Sequence, residues 1–244
     1  MLKYRSPEEL HVNLVNWISK QFSAIGVTKA VLGISGGIDS ALLSVLLSEV
    51  LSPENVIGVI MPCHSLSLDE QLALELADKF RFQVKKVDLT QTYNTLISSI
   101  NATDNISSSL ALANIKPRLR MTTLYVIAQE NNALVCGASN KDELMYGYFT
   151  KHGDSGVDIL PLSDLLKGEV YSLSKYLGVI DKIIDRPPTA GLWDGQTDEE
   201  EMGISYNELD SFLLGLEIHD DIKRAKIEKA ITLSVHKRRY PLMP

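Results

Sequence analysis

The sequence predicts an α/β fold of three layers, a central and mainly parallel sheet with helices on both faces, and two observations carry the expectation. Short apolar runs of strand length alternate with stretches of helical period as far as residue 136, the order that builds βαβ units around a parallel sheet. A glycine- and serine-rich cluster over residues 33–40 joins one such run to the helix after it, the place where open α/β sheets receive anionic ligands.

Taken in order, Ser6-Pro7-Glu8-Glu9 reads as an N-cap, a proline in the first helical position and an acidic first turn. Leu10, Leu14, Trp17, Ile18 and Phe22 then recur at helical spacing, so the first element is an amphipathic helix that Gly26 ends. Residues 30–34 read as a strand, and Ala41, Leu42, Val45, Leu46 and Val50 mark the helix after it. The alternation continues with strands at 56–61 and 82–89 around a helix at 68–80, then a helix containing Tyr125 and a strand at 133–136. Two stretches break the pattern: residues 101–114 are rich in Ser and Asn, and residues 187–203 carry Pro, Gly and acidic side chains, so both are expected to be loops or lids. Ile222, Ile227, Ala230 and Leu233 place a last helix within 219–237, ending in His236-Lys237-Arg238-Arg239, where positive charge suits the helix dipole.

A chain of 244 residues with 45% hydrophobic and 23% charged side chains can bury an ordinary globular core, and it is read as one domain over residues 1–244. A net charge of -7 argues against a nucleic-acid partner. No apolar run reaches the length of a membrane span and the opening residues lack a signal-peptide core, so a cytoplasmic protein with no membrane partner is expected. Cys63 and Cys136 match no metal-ligand spacing and read as small apolar fillers, and the five histidines join no nucleophilic triad.

The chemistry sits in Gly33-Ile34-Ser35-Gly36-Gly37-Ile38-Asp39-Ser40. Glycines let backbone amides approach an anion, serines add hydroxyl donors, and the following helix turns its positive end to the same point. The segment lacks the Gly-Lys-Ser/Thr ending of a Walker A loop and the GxGxxG of dinucleotide folds. An acid, Asp39, inside an anion cradle is best explained by a divalent cation bridging it to phosphate oxygens.

SGGIDS resembles the PP-loop of the N-type ATP pyrophosphatases, which cleave ATP between the α and β phosphates. Further segments resemble one family within them, the NAD synthetases: Asn114 to Met121, Gly137 to Asp154, Pro188-Thr189-Ala190-Gly191-Leu192, Gly195-Gln196-Thr197-Asp198-Glu199 and His236-Lys237. The likeness covers nearly the whole chain. It implies an adenine nucleotide α-hydrolase-like fold and amidation of the nicotinate carboxylate of deamido-NAD by ammonia, through an adenylate, with release of AMP and pyrophosphate.

Carried over residue by residue, the resemblance assigns ATP to residues 33–40, Ala138, Lys167 and Thr189, and Mg²⁺ to Asp39 and Glu143. Asp39 and Lys167 are the expected contributors to rate. Deamido-NAD is assigned to Arg118, Lys151, Asp158, His236 and Lys237, with Arg120 the weaker candidate. Tyr146, Tyr148 and Phe149 could stack on a nicotinate ring, with core packing expected for at least one. Pro117 stands where the family usually has alanine, which a first helical turn tolerates. Ala138 replaces a common threonine and offers ATP only backbone groups, forgoing a hydrogen bond of about 0.5–1.5 kcal/mol. The family's homodimer could use the helix carrying Met121, Leu124, Tyr125, Ile127 and Ala128. No room is left for a glutamine amidase domain, so free ammonia is the expected donor. The alternatives are another PP-loop adenylating ligase, or an ATP-binding sensor without turnover, against which the two acids and Lys167 argue.

Overall fold

The computed structural model describes residues 2–103, 108–189 and 197–243. In chain order the elements are α1 (Pro7–Ile25), β1 (Lys29–Gly33), α2 (Ile38–Leu51), β2 (Val56–Ile60), α3 (Ser67–Phe80), β3 (Gln83–Lys86), α4 (Thr90–Asn101), α5 (Ser109–Ala113), α6 (Ile115–Asn131) and β4 (Ala133–Val135). They are followed by α7 (Lys141–Tyr146), α8 (Lys167–Tyr176), α9 (Asp181–Ile184), α10 (Asp198–Met202), α11 (Tyr206–Leu213) and α12 (Asp221–Ser234).

The four strands form one parallel sheet in the order β3-β2-β1-β4. Their alternation sorts the core into two faces. Ala30 and Leu32 of β1 and Val56 and Ile60 of β2 turn to one side, where Leu10, Leu14, Ile18 and Phe22 of α1 pack with Leu42 and Leu46 of α2 and Val170 and Leu173 of α8. Val31, Ile57, Val59 and Val135 turn to the other side and meet Leu124 and Ala128 of α6 and Leu89. A third, smaller cluster of Met202, Ile204, Tyr206, Leu209 and Ile227 joins α10, α11 and α12. The strand order reverses between β1 and β4, so the carboxyl ends of the central strands open the crevice in which such sheets bind ligands.

The expected three-layer arrangement holds, and the differences have local causes. The strand expected over 82–89 stops at Lys86, and Asp88 accepts the Thr90 amide at 2.8 Å to start α4, a helix the alternation of apolar runs did not suggest. The strand expected to include Cys136 ends at Val135, with Cys136 continuing as an isolated bridge to Ile159. The two expected loops are partly helical. Ser108 caps α5 by accepting the Ala111 amide, and Thr197 caps α10 by accepting the Glu200 amide. Residues 104–107 and 190–196, including Ala190-Gly191-Leu192 and Gly195-Gln196 of the family motifs, lie outside the described residues. Pro117 is the third residue of α6, where a helical amide has no partner to lose.

Candidate active site

Gly36 carries φ 73°, and a Cβ there would stand 2.6 Å from the Asp69 carbonyl oxygen, so the turn out of β1 admits glycine alone on two counts. The turn is tied within itself: the Gly37 amide donates to Ser35 Oγ (3.2 Å), and Ser40 Oγ donates to the Gly37 carbonyl (3.0 Å). No side chain caps α2. Its first-turn amides and positive dipole end therefore face the cavity as an anion site.

Beside this loop stand Asp39, in the first turn of α2, Glu143 of α7 and Lys167, the first residue of α8. Buried Asn140 holds the two acids together. Its Nδ2 donates to Asp39 Oδ1 and to Glu143 Oε1, each at 2.9 Å, while its Oδ1 accepts the Glu143 amide at 3.0 Å in a capping box. Lys167 Nζ lies 2.6 Å from Asp39 Oδ2 and 3.7 Å from Glu143 Oε1, and 4.7 Å above the Tyr206 ring. Tyr206 in turn donates to Asp198 Oδ2 at 2.9 Å.

The electrostatics follow from burial. Desolvation alone would depress the Lys167 ammonium, but the adjacent Asp39 and Glu143 charges outweigh it and raise its pKa. Desolvation and the neighbouring Asp39 charge hold Glu143 well above the carboxylate range, against the pull of Lys167. Burial likewise raises Asp198. Three acids share one ammonium, and the Asp39 charge that helps raise Glu143 and Asp198 is a negative field that a further cation would relieve. Among the described residues no group of three or more His, Cys, Asp or Glu could hold a metal by itself. The Asn140 amide and the Lys167 ammonium bring the Asp39 and Glu143 carboxyl groups to one place, a donor set of hard oxygens that suits magnesium.

A cavity of about 740 Å³ runs from the phosphate loop along the carboxyl ends of the strands. Gly33, Ile34, Ser35, Gly37, Ile38, Asp39, Ser40, Ala138, Glu143, Lys167 and Thr189 line it, and so do Arg118, Lys151, His236 and Lys237. Asp158 does not line it: Oδ2 accepts the Val135 amide (2.8 Å) and Oδ1 the Tyr125 hydroxyl (3.1 Å), pinning the edge of β4 to the outer side of α6. Arg118 is exposed and donates to the Lys151 carbonyl at 3.3 Å. Arg120 lies deeper, donates to the Met61 carbonyl at 3.2 Å, and has its pKa lowered by burial.

The basic end of α12 divides its work. Lys237 Nζ donates to the Gly147 and Phe149 carbonyls, each at 2.8 Å, and stands 5.3 Å from the centre of the Phe149 ring. Arg238 instead reaches the Leu144 and Met145 carbonyls at the end of α7 and the Ile231 carbonyl in the last turn of α12, the dipole role expected from sequence, here exerted on two helices. Tyr148 and Phe149 line the cavity, whereas Tyr146 packs against the third cluster and donates to the Met202 carbonyl. Both cysteines are buried free thiols, each pushed up in pKa by desolvation.

A loop built for phosphate, two converging acids and a buried lysine at one end of the cavity, with cations along its far wall, match a known family along the chain. The NAD synthase family model matches residues 10–241. The chain belongs to that family. A curated relative, the NH(3)-dependent NAD(+) synthetase of Carboxydothermus hydrogenoformans, is 45% identical over 242 residues that cover 97% of each chain. Among solved structures, NMN synthetase from Francisella tularensis has a TM-score of 0.93 at 38% identity, covering 99% of each chain. The NH3-dependent NAD synthetase from Campylobacter jejuni has a TM-score of 0.81 at 27% identity, covering 99% of this chain and 100% of that one. The family joins ammonia to deamido-NAD with ATP as co-substrate, which makes its members carbon–nitrogen ligases.

Sequence reasoning passed over three members of this NAD synthase site. Asn140 lies inside the family segment Gly137 to Asp154, which by itself says nothing of its reach to Asp39, 101 residues away. Asp198 and Tyr206 come from α10 and α11, and only the packing of the third cluster brings them to Lys167.

Proposed function

We propose that this chain amidates the nicotinate carboxylate of deamido-NAD with ammonia, consuming ATP and releasing AMP and pyrophosphate. The observation that carries the reading is the Lys167 ammonium held between Asp39 and Glu143 beside an uncapped phosphate loop. The carboxylate must attack an α-phosphorus already surrounded by negative charge, so the site has to neutralise charge and hold reactants in line. The loop amides and Ser35 and Ser40 hydroxyls bind the departing pyrophosphate, and Lys167 supplies positive charge where it develops. Asp39 and Glu143 would hold Mg²⁺, which when bound would neutralise phosphate charge. Ala138 and Thr189 flank the nucleotide.

Arg118, Lys151, His236 and Lys237 bind deamido-NAD along the opposite wall. Asp158 joins them only if the substrate crosses a subunit boundary. Leu124 and Ala128 of the expected dimer helix are buried against the sheet, so a homodimer through α6 uses its outward side, where Val126 is 64% exposed. The chain works as one domain over residues 1–244, in the cytoplasm, without nucleic acid or membrane as partner. Among the described residues no helix is long and apolar enough to cross a membrane.

A second reading rests on the likeness to the Francisella tularensis NMN synthetase, whose TM-score exceeds that of the Campylobacter jejuni NAD synthetase. On that reading the acceptor is nicotinate mononucleotide. The purified protein is given ATP, Mg²⁺ and ammonium with deamido-NAD or with the mononucleotide at equal concentration. AMP formed together with NAD, at the higher kcat/KM, supports the first reading; preferential formation of the amidated mononucleotide supports the second. AMP without amide, or no turnover, defeats both.

A further inference from the structure

The side of Lys167 turned away from the cavity carries a second polar network for which the chemistry above has no use. The Lys167 amide donates to Asp142 Oδ2 (2.8 Å) and to Asp210 Oδ1 (3.2 Å), and the Gly168 amide donates to Asp210 Oδ2 (3.0 Å). These carboxylates come from α7 and α11 and satisfy the leading amides of α8 in the manner of an N-cap, since Leu166 has no capping side chain of its own. The segment before α1 then closes over them. Tyr4 donates its hydroxyl to the same Asp210 Oδ2 at 2.6 Å, and its ring lies so close to Gly168 that a Cβ there would collide with it.

Arg5 completes the strap. Its amide and Nε donate to Glu169 Oε1 (3.1 and 2.9 Å), one terminal nitrogen donates to Glu169 Oε2 (2.7 Å) and the other to Asp164 Oδ2 (2.8 Å). Glu169 Oε2 also accepts the Leu166 amide at 3.1 Å. Residues more than 150 positions apart in sequence thus fix the turn that presents Lys167. A buried lysine whose Nζ is held between two acids and above a ring has little freedom to correct a displaced backbone.

We propose that Tyr4, Arg5 and Asp210 are positioning residues for the amidation: the strap before α1 fixes the first turn of α8 and thereby where Lys167 Nζ stands relative to Asp39 and the phosphates. The inference rests on Lys167 acting on the reacting phosphates as argued above. A strap that merely stabilised the fold would change the fraction of folded protein and leave each folded molecule at full rate. A positioning strap changes the rate of molecules that still fold and still bind ATP, because misplacement by about an ångström costs up to a hundredfold.

The test uses Tyr4→Phe, which keeps the ring on Gly168 and removes one hydroxyl, and Arg5→Lys, which keeps the charge and loses the fork. ATP-binding stoichiometry counts competent sites, and kcat is expressed per site. Wild-type turnover of deamido-NAD is measured first, because its absence defeats the functional reading and not the strap. With the wild type active, each variant is expected to lose about tenfold in kcat per ATP-binding site, with KM for ATP within about twofold. Unchanged kcat per site in both variants overturns the proposal, as does a loss that appears in KM for ATP alone.

Discussion

Replacing Lys167 with methionine keeps most of its volume and removes its charge, leaving Asp39 and Glu143 facing each other with only the Asn140 amide between them. Two consequences are separable. The first is stability. Removing one partner of a buried ion pair costs about 3–5 kcal/mol because the remaining charge stays desolvated, and in a chain of 244 residues each kcal/mol lowers the midpoint by about 2–4 °C. The expected fall is therefore about 6–20 °C. Adding Asp39→Asn removes the carboxylate that Lys167 pairs at 2.6 Å, so the double variant is more stable than Lys167→Met alone, a coupling that additive losses do not produce. The second is rate. A positive group that acts mainly on charge developing in the transition state contributes about 10²–10³ in kcat, with KM for ATP changed far less. Calorimetry and steady-state kinetics on the single and double variants read both. If Lys167→Met raises KM for ATP and leaves kcat intact, Lys167 is a binding residue. If Asp39→Asn destabilises the Lys167→Met variant further, Lys167 does not balance the Asp39 charge.

Asp39→Asn and Glu143→Gln are each expected to abolish turnover while circular dichroism stays native, and activity retained by either at saturating Mg²⁺ refutes the magnesium assignment. Lys237 and Arg238 are adjacent and differ in contacts, so Lys237→Met should raise KM for deamido-NAD with little change in ATP binding, whereas Arg238→Met should lower the melting midpoint by removing the cap on α7. A common loss of stability with unchanged KM in both would leave Lys237 as structural. Free ammonia is the expected nitrogen donor, so at fixed total ammonium the rate should climb with pH as the NH₃ fraction grows, until other groups titrate. Equal NAD formation from ammonia-free glutamine by the chain alone would reverse that assignment.

What the sequence makes legible follows from the range over which each feature acts. The strand–turn–helix around residues 33–40 is local, and its glycine requirement at Gly36 is written in a few adjacent letters, although the Asp69 carbonyl that enforces it comes from α3. The fold class is legible for the same reason, since alternating apolar runs report burial on both faces of a parallel sheet. Short helices are not: α5 and α10 each span five residues, too few to show a period, and only their Ser108 and Thr197 caps betray them. Nor are the contacts that give Lys167 its state. Its charge depends on Asp39, Glu143 and Tyr206, its backbone on Asp142 and Asp210, and these lie on three other helices, α2, α7 and α11. A lone lysine at the start of a helix usually reads as a solvated surface charge, yet this one is among the largest fully buried side chains of the protein. Burying a charge is tolerated only where partners are supplied. In this fold the partners arrive from both ends of the chain, so the depth of Lys167 is a property of the tertiary structure rather than of any segment that contains it.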